Sequence, residues 1–316
     1  MTIDLCVWDR CNNKCLMCTN PDRPWPAWDG SFDYSFEAII GRLEKNRKKI
    51  KAAESIYLTG GEPTLHPRFL DIFRYLAKTF PAQRIKLLTN GRRFIYRDFA
   101  EKFLAVTNNL EIDMSLCGPE SAVHDGVTRA AGSFEQAAKG LRIILENRRP
   151  GQEIGVRTVL NKATFRHIGG TLRLLRDKFQ DLDRVIVIFM EFEAQAIKNI
   201  DLVKINYAQA RPYLDEAGPI LKDFKDIRFY HFPLCTVAKN IWPYVWRTLP
   251  AKEVSFVRAC GKCGYKKLCS GIHKGYLKSV GREDFFPVKE KIGMELSGDF
   301  YRPINNILPA GDVVIL

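Results

Sequence analysis

Nine cysteines carry the clearest chemical signal in this chain: Cys6, Cys11, Cys15, Cys18, Cys117, Cys235, Cys260, Cys263 and Cys269. Three of them form the run CNNKCLMC, with spacing Cys-x3-Cys-x2-Cys. Three thiolates on one loop can hold three corners of a 4Fe–4S cube and leave the fourth iron open to a substrate or cofactor. A cluster used only for electron transfer would take four cysteines. A zinc knuckle completed by a distant residue is the competing reading, but no companion His or Cys stands at zinc-finger spacing. The second group, Cys235 followed by Cys260, Cys263 and Cys269, offers four thiolates. Four suffice to close either a zinc site or a full 4Fe–4S cluster. Clustering of this kind, with no secretory signal, points to metal or redox chemistry rather than structural disulfides.

A second motif is Gly60-Gly61-Glu62-Pro63. Two glycines let the backbone approach a ligand closely and tolerate positive φ, while Glu62 and nearby carbonyls offer acceptors to a ligand ammonium. Cys6 lies within a strand pattern and is expected to be a small buried hydrophobe. Asn90 belongs to a TNG turn, where Asn-Gly is common for conformational reasons alone. The five histidines show no ligand-pair spacing. Trp25 and Trp28, in a Pro-rich loop beyond the first cysteine run, either cover the site or pack at the surface.

The elements that must position these residues alternate. Strands are expected at Ile3–Trp8, Ser55–Thr59, Arg84–Thr89, Leu110–Leu116, Ile154–Leu160 and Arg184–Met190. Helical stripes lie between them: Phe36, Ile39, Ile40 and Leu43 behind an N-cap at Ser35, and Phe69, Ile72, Phe73, Leu76 and Phe80. A capping box at Ser133 and Gln136 precedes Ala137, Leu141 and Ile144, and Leu172, Leu175 and Phe179 mark a further helix. Strands joined by helical crossovers make a parallel α/β sheet, doubly wound or a closed or partial barrel, with chemistry at the C-terminal strand ends. Each motif falls there. After residue 195 a helical stretch, a short strand at Ile227–Phe232 and the second cysteine group suggest a division into 1–195, the sheet, and 196–316, a small Cys-rich module.

The 316 residues are 46% hydrophobic and 27% charged, which excludes a disordered or fibrous chain. No apolar run approaches the roughly 18 residues of a membrane span, so no membrane partner is expected and the cytoplasm is the expected compartment. Lys and Arg exceed Asp and Glu by 49 to 36, a net charge of +13. This favours anionic partners such as nucleic acid, but a solvated basic surface explains it equally.

The cysteine triplet after a first strand, with Gly60-Gly61-Glu62-Pro63 after a second, resembles the radical S-adenosylmethionine (SAM) superfamily. The resemblance implies a partial (β/α)6 TIM-type barrel. It also implies that Cys11, Cys15 and Cys18 bind a 4Fe–4S cluster whose unique iron chelates SAM, so that one electron cleaves SAM to methionine and a 5′-deoxyadenosyl radical. Gly60, Gly61 and Glu62 would help bind SAM, and Ser115 and either Arg157 or Asn161 would contact its ribose and carboxylate. Met17 stands where many members carry an aromatic residue against adenine. The second group, Cys235, Cys260, Cys263 and Cys269, is similar to the auxiliary-cluster modules called twitch or SPASM. Two 4Fe–4S clusters and SAM are therefore the implied cofactors, with a reductant such as flavodoxin or ferredoxin. Cys117, at the end of the fourth strand, could return a hydrogen atom to a substrate radical, or is a barrel-rim cysteine.

Such modules are frequent in enzymes that modify ribosomally made peptides, and FPLCTVAKNIWPY is similar to maturases of His-Xaa-Ser-type peptide systems. The implied function is hydrogen abstraction from a peptide or protein by a radical SAM maturase, giving a cross-link, epimerisation or oxidation. Because the cluster motif begins at Cys11, no leader-binding domain is expected before it, and a separate partner could present the peptide. The alternatives are the same radical chemistry on a nucleic acid or small molecule, and a zinc-stabilised nucleic-acid-binding module without catalysis.

Overall fold

The computed structural model describes residues 2–20 and 33–290, and the backbone of 313–315; Trp25 and Trp28 lie outside the described residues. Among the described residues, eleven strands and eleven α-helices follow one another as β1 (Thr2–Trp8), α1 (Phe36–Lys45), α2 (Arg47–Lys51), β2 (Ser55–Gly60), α3 (Phe69–Thr79), β3 (Arg84–Thr89), α4 (Arg97–Leu104), β4 (Leu110–Ser115), α5 (Ser121–Thr128), α6 (Ser133–Asn147), β5 (Glu153–Leu160), α7 (Ile168–Lys178), β6 (Arg184–Phe189), α8 (Ala194–Lys198), α9 (Ile200–Val203), α10 (Tyr207–Ala217), β7 (Ile227–Tyr230), β8 (Val245–Trp246), β9 (Val254–Ser255), β10 (Ile272–His273), α11 (Lys274–Ser279) and β11 (Val313–Ile315).

Strands β1 to β8 pair in parallel in sequence order, and β11 adds to the free edge of β1. This is the parallel α/β architecture of a partial (β/α)6 TIM-type barrel. The sheet does not stop at residue 195: β7 and β8 come from the segment expected to form a separate module and extend the same sheet. Only β9 and β10, an antiparallel pair, stand apart from it among the described strands.

Alternation along the strands divides two environments. Ile3, Leu5, Val7, Ile56, Leu58, Ile85, Leu87, Ile112, Ile154 and Val156 are buried against the helices. There α3 and α4 interleave Phe69, Phe73, Phe99 and Phe103, the rings of Phe73 and Phe103 lying 4.5 Å apart. The other face carries Asp4, Tyr57, Lys86, Glu111, Asp113, Ser115, Arg157 and Arg184, with Cys6, Leu88, Val159 and Ile188 nearer the C-terminal strand ends. At its lower end Arg184 bonds Glu111 at 2.5 Å and Asp113 at 3.0 Å, and Lys86 and Arg84 approach Glu111 as well. Room for Asp113 comes from Gly155, where a Cβ would lie 2.5 Å from Oδ1.

One local expectation fails. Ser133 and Gln136 do not form a capping box: α6 is entered from Gly132 in the left-handed region, and Ser133 is already helical. Asp125, one turn before the end of α5, accepts instead from the N–H groups of Gly132 and Phe134 at 2.7 Å and from the Ser133 hydroxyl at 2.8 Å. A carboxylate from the neighbouring helix outcompetes the local hydroxyl, as a charge-assisted acceptor at a helix N-terminus should. Ser35 does cap α1, accepting from Ala38, and a true capping box occurs at Asn206 and Gln209.

Candidate functional site

A cavity of about 410 Å³ opens at the C-terminal ends of the strands. Its wall includes Cys11, Cys15 and Cys18, all of Gly60, Gly61 and Glu62, and Ser115, Cys117 and Arg157. Nine of the ten non-auxiliary site residues expected from sequence therefore meet in one place. The exception is Asn161, which is fully buried just beyond β5 and is not part of the lining. Its side-chain oxygen accepts from Ala163 in a local turn, and its Nδ2 has no partner.

The cysteine loop is held on three sides. Lys14 and Leu16 donate their backbone N–H to the carbonyls of Thr128 and Val127 at the end of α5. Gln195 donates to the Cys18 carbonyl, and Asn199 Nδ2 to Leu16. Arg92 Nη1 reaches the Asn12 carbonyl at 2.6 Å and Asn13 Oδ1 at 2.7 Å, while its Nε bonds Gln136 of α6. Asn90 is more than a turn residue. Its Nδ2 donates to Asn12 Oδ1 at 2.7 Å and lies 3.8 Å from the Cys11 sulfur.

The two glycines of the GGEP turn make room for the protein's own backbone. A Cβ at Gly60, whose φ is +136°, would lie 2.1 Å from the Trp8 carbonyl oxygen. One at Gly61 would lie 2.5 Å from that of Arg10. Gly61 and Glu62 donate their N–H groups to these same carbonyls at 2.7 and 2.8 Å. The turn thus clamps residues 8–10, immediately before Cys11.

Glu62, expected as an acceptor for a ligand, has both oxygens engaged. Oε1 accepts from the Thr64 N–H, the Thr64 hydroxyl and the Thr89 hydroxyl, and Oε2 from the Asn90 N–H at 2.7 Å. It is 1% exposed. Burial pushes this carboxyl above the usual carboxylate range, with the four hydrogen bonds pulling the other way.

Burial raises the thiols too: Cys11 to about 11, with Cys15 and Cys18 also upward. Such thiols stay protonated at neutral pH unless a cation compensates the thiolate, which is the behaviour of a metal-binding set before metal arrives. Among the described residues no three His, Cys, Asp or Glu side chains converge on a single metal ion. A cube of several irons does not ask for that convergence, because each thiolate binds a different iron. In donor type, placement and space, the three thiols fit a 4Fe–4S cluster with room beside it.

Cys117 is buried in the same wall. Its N–H donates to His124 Nδ1 at 3.0 Å, and burial raises its thiol to about 12. His124 is likewise buried and held down at about 4, so it is neutral with its proton on Nε2. Cys6 is buried as expected, but on the cavity side of β1, its sulfur 3.6 Å from the Tyr34 hydroxyl. Arg157 bonds the Tyr57 hydroxyl at 2.9 Å and leaves Nε without a partner. Arg92, Asp4, His124, Glu191 and His231 escaped sequence reasoning. Glu191 and His231 share the one signal that could have found them, a position just past a strand's C-terminal end.

Asp4 gives a pH prediction. Burial on the cavity side of β1 raises its carboxyl to about 6, against about 3.9 in an unfolded chain. The folded state therefore favours the protonated form: stability from this group is full below pH ~4 and lost as pH rises through ~6. Asp4→Asn should accordingly be more stable than the parent at pH 8, by on the order of 2 kcal/mol, and no more stable at pH 4. Urea unfolding at both pH values reads this out.

A second pocket is lined by all four of Cys235, Cys260, Cys263 and Cys269, together with Phe256, Tyr265, Phe285 and Phe286. Leu234 donates its N–H to the Cys269 sulfur at 3.4 Å, and burial raises Cys235 to about 12 and Cys269 upward. The cavity they line is small, about 20 Å³.

Among the described residues, no helix is long and apolar enough to cross a membrane. Residues 5–175 match the family model described as Radical SAM superfamily. AlbA, the antilisterial bacteriocin subtilosin biosynthesis protein of Bacillus subtilis, is 27% identical over 138 residues, 44% of this chain and 29% of AlbA. GTP 3′,8-cyclase of Petrotoga mobilis is 27% identical over 140 residues, 44% of this chain and 41% of the cyclase. The chain thus spans less than half the length of these curated relatives. Among solved structures, SuiB of Streptococcus suis bound to S-adenosylmethionine superposes with a TM-score of 0.58 at 14% identity, over 91% of this chain and 76% of SuiB.

Proposed function

Because the chain belongs to the radical SAM superfamily, we propose that the cavity binds SAM beside a 4Fe–4S cluster held by Cys11, Cys15 and Cys18, and that the substrate attacked there is a peptide or protein. The observation that carries this reading is the meeting of the three thiols with the GGEP turn, Ser115 and Arg157 around one cavity of about 410 Å³. A cluster on these thiols would supply the electron for reductive cleavage of SAM and so the oxidising power to abstract a hydrogen atom from the substrate.

The chain's own residues position and shield. The Gly60–Gly61 clamp and Arg92 fix the loop that carries the thiols. Glu62 ties the turn after β2 to Thr89 and Asn90 after β3. Ser115 and Arg157, register neighbours on β4 and β5, offer a hydroxyl and a cation to SAM's ribose and carboxylate. Met17, 9% exposed on the same wall, offers an apolar surface to adenine. The Cys117 thiol stands on the wall as a hydrogen-atom donor for a reaction that returns hydrogen to the substrate. The thiols of Cys235, Cys260, Cys263 and Cys269 would hold an auxiliary cluster, which with four sulfur ligands would suit electron transfer.

The peptide preference is supported by AlbA, a bacteriocin biosynthesis protein, and by SuiB, solved with its precursor peptide SuiA. A nucleotide substrate is the second reading, favoured by the GTP 3′,8-cyclase match and by the net charge of +13. The test is anaerobic incubation of reconstituted protein with SAM and dithionite. The proposal expects 5′-deoxyadenosine and methionine in equal amounts, and their absence from cluster-loaded protein would contradict it. Added peptides or GTP that accelerate deoxyadenosine release then separate the two substrate classes.

A further inference from the structure

On the cavity wall away from the thiols, the ends of β6 and β7 bring two titratable side chains together. Glu191 follows β6 by two residues and His231 follows β7 by one, and both line the cavity. His231 is one of three non-glycine residues at positive φ among those described, at +68°, a conformation few side-chain-bearing residues adopt. In it, Nδ1 lies 3.1 Å from the Phe189 carbonyl oxygen. A carbonyl can only accept, so Nδ1 carries the hydrogen, and Nε2 of a neutral ring is left as an acceptor. That Nε2 faces Glu191 Oε1 at 3.6 Å.

An ionised Glu191 would set acceptor against acceptor across a half-buried contact, and one proton between them removes the conflict. Burial acts in the same sense, raising the carboxyl and lowering the imidazole to about 3. The titratable and charged groups around the pair are Arg157 from β5, His273 from β10, and Glu193 and Glu253. His273 Nε2 lies 3.2 Å from Glu193, and burial, then Glu191 and Glu193, raise the Glu253 carboxyl.

We propose that Glu191 and His231 together hold one proton, carried on the carboxyl, and that this pair is the proton donor to a basic group of the substrate bound in the cavity. In that step the Glu191 O–H bond breaks, a bond from hydrogen to a substrate nitrogen or oxygen forms, and the pair becomes anionic beside the Arg157 guanidinium. No electron moves. The inference rests on the cavity being the substrate's site, as proposed above.

Infrared difference spectra of the anaerobic holoprotein, carrying ¹³C-labelled glutamate, test it at pH 7. A protonated-carboxyl band present in the parent, absent in Glu191→Gln and shifted in His231→Asn is the expected result. Glutamine keeps the shape of the side chain without its exchangeable proton, and asparagine tolerates the left-handed backbone. Parent and Glu191→Gln spectra alike in that region overturn the proposal, because Glu191 is then ionised. A band that His231→Asn leaves unmoved overturns the pairing. Deoxyadenosine formation by the same parent preparation checks the underlying reading separately: the band without deoxyadenosine leaves the proton-holding pair standing and removes its assigned role.

Discussion

Cys15→Ala is expected to cut 5′-deoxyadenosine formation by at least roughly 100-fold, a loss larger than that for residues that merely orient cluster ligands, while leaving the fold intact. The structure separates the two effects. On either side of Cys15, the backbone N–H groups of Lys14 and Leu16 are tied to the carbonyls of Thr128 and Val127. The loop's course therefore does not depend on the thiol. The side chain is only partly buried against the core, so its truncation should cost no more than about 1 kcal/mol. Cys263→Ala, in the second pocket, is the matching control and should retain SAM cleavage. Full deoxyadenosine formation in Cys15→Ala would remove the triplet from the cluster, whereas equal loss in both variants would point to a general defect in folding or iron loading.

Glu62→Ala is the second large effect, and it acts through the protein rather than through a ligand. The substitution strands the backbone N–H groups of Thr64 and Asn90 and the hydroxyls of Thr64 and Thr89. The hydroxyls can rotate toward other partners, but the two backbone N–H groups, buried at Thr64 and half-buried at Asn90, cannot. At 1–3 kcal/mol for each buried donor left unmade, the expected cost is about 3 kcal/mol. Because Asn90 in turn reaches Asn12 and the Cys11 sulfur, deoxyadenosine formation should fall roughly tenfold or more. Glu62→Gln, which keeps an acceptor oxygen but turns an N–H donor toward donors, should lie between alanine and the parent. Chemical denaturation and a deoxyadenosine assay on the same samples check both readouts. Unchanged stability with lost activity would return Glu62 to the role of a direct SAM ligand.

What was legible in the sequence follows from how local its causes are. The six strand segments from Ile3 to Met190 stand within about one residue of their expected bounds, because alternation and β-branched runs are properties of the segment itself. The continuation of the sheet through β7 and β8 was not legible: two residues, Val245–Trp246, carry no periodicity, and the pairing of β11 with β1 joins opposite ends of the chain. Within the site, residue type and position at a strand's C-terminal end pointed to Cys11, Cys15, Cys18 and Cys117, while Ser115 and Arg157 came from the family resemblance; all six line one cavity. The glycines were recognised for close approach, but a sequence does not reveal what approaches. Here it is the carbonyls of Trp8 and Arg10. Ser133 shows the same limit in reverse, since a local cap motif cannot register a stronger acceptor such as Asp125 on the neighbouring helix. Arg92 and His231 had no motif to announce them, and their roles exist only in the folded chain.

We propose that this chain holds two iron–sulfur clusters, one on each group of thiols. Iron, sulfide and zinc measured on protein purified without oxygen, for the parent and the Cys11/Cys15/Cys18→Ala variant, test it most directly. About eight iron per chain, falling to about four in the variant, is the expected result. Four iron and one zinc would keep the cavity's cluster and make the second pocket a structural zinc site. Zinc alone, with no iron after anaerobic reconstitution, would remove both clusters and the radical chemistry with them.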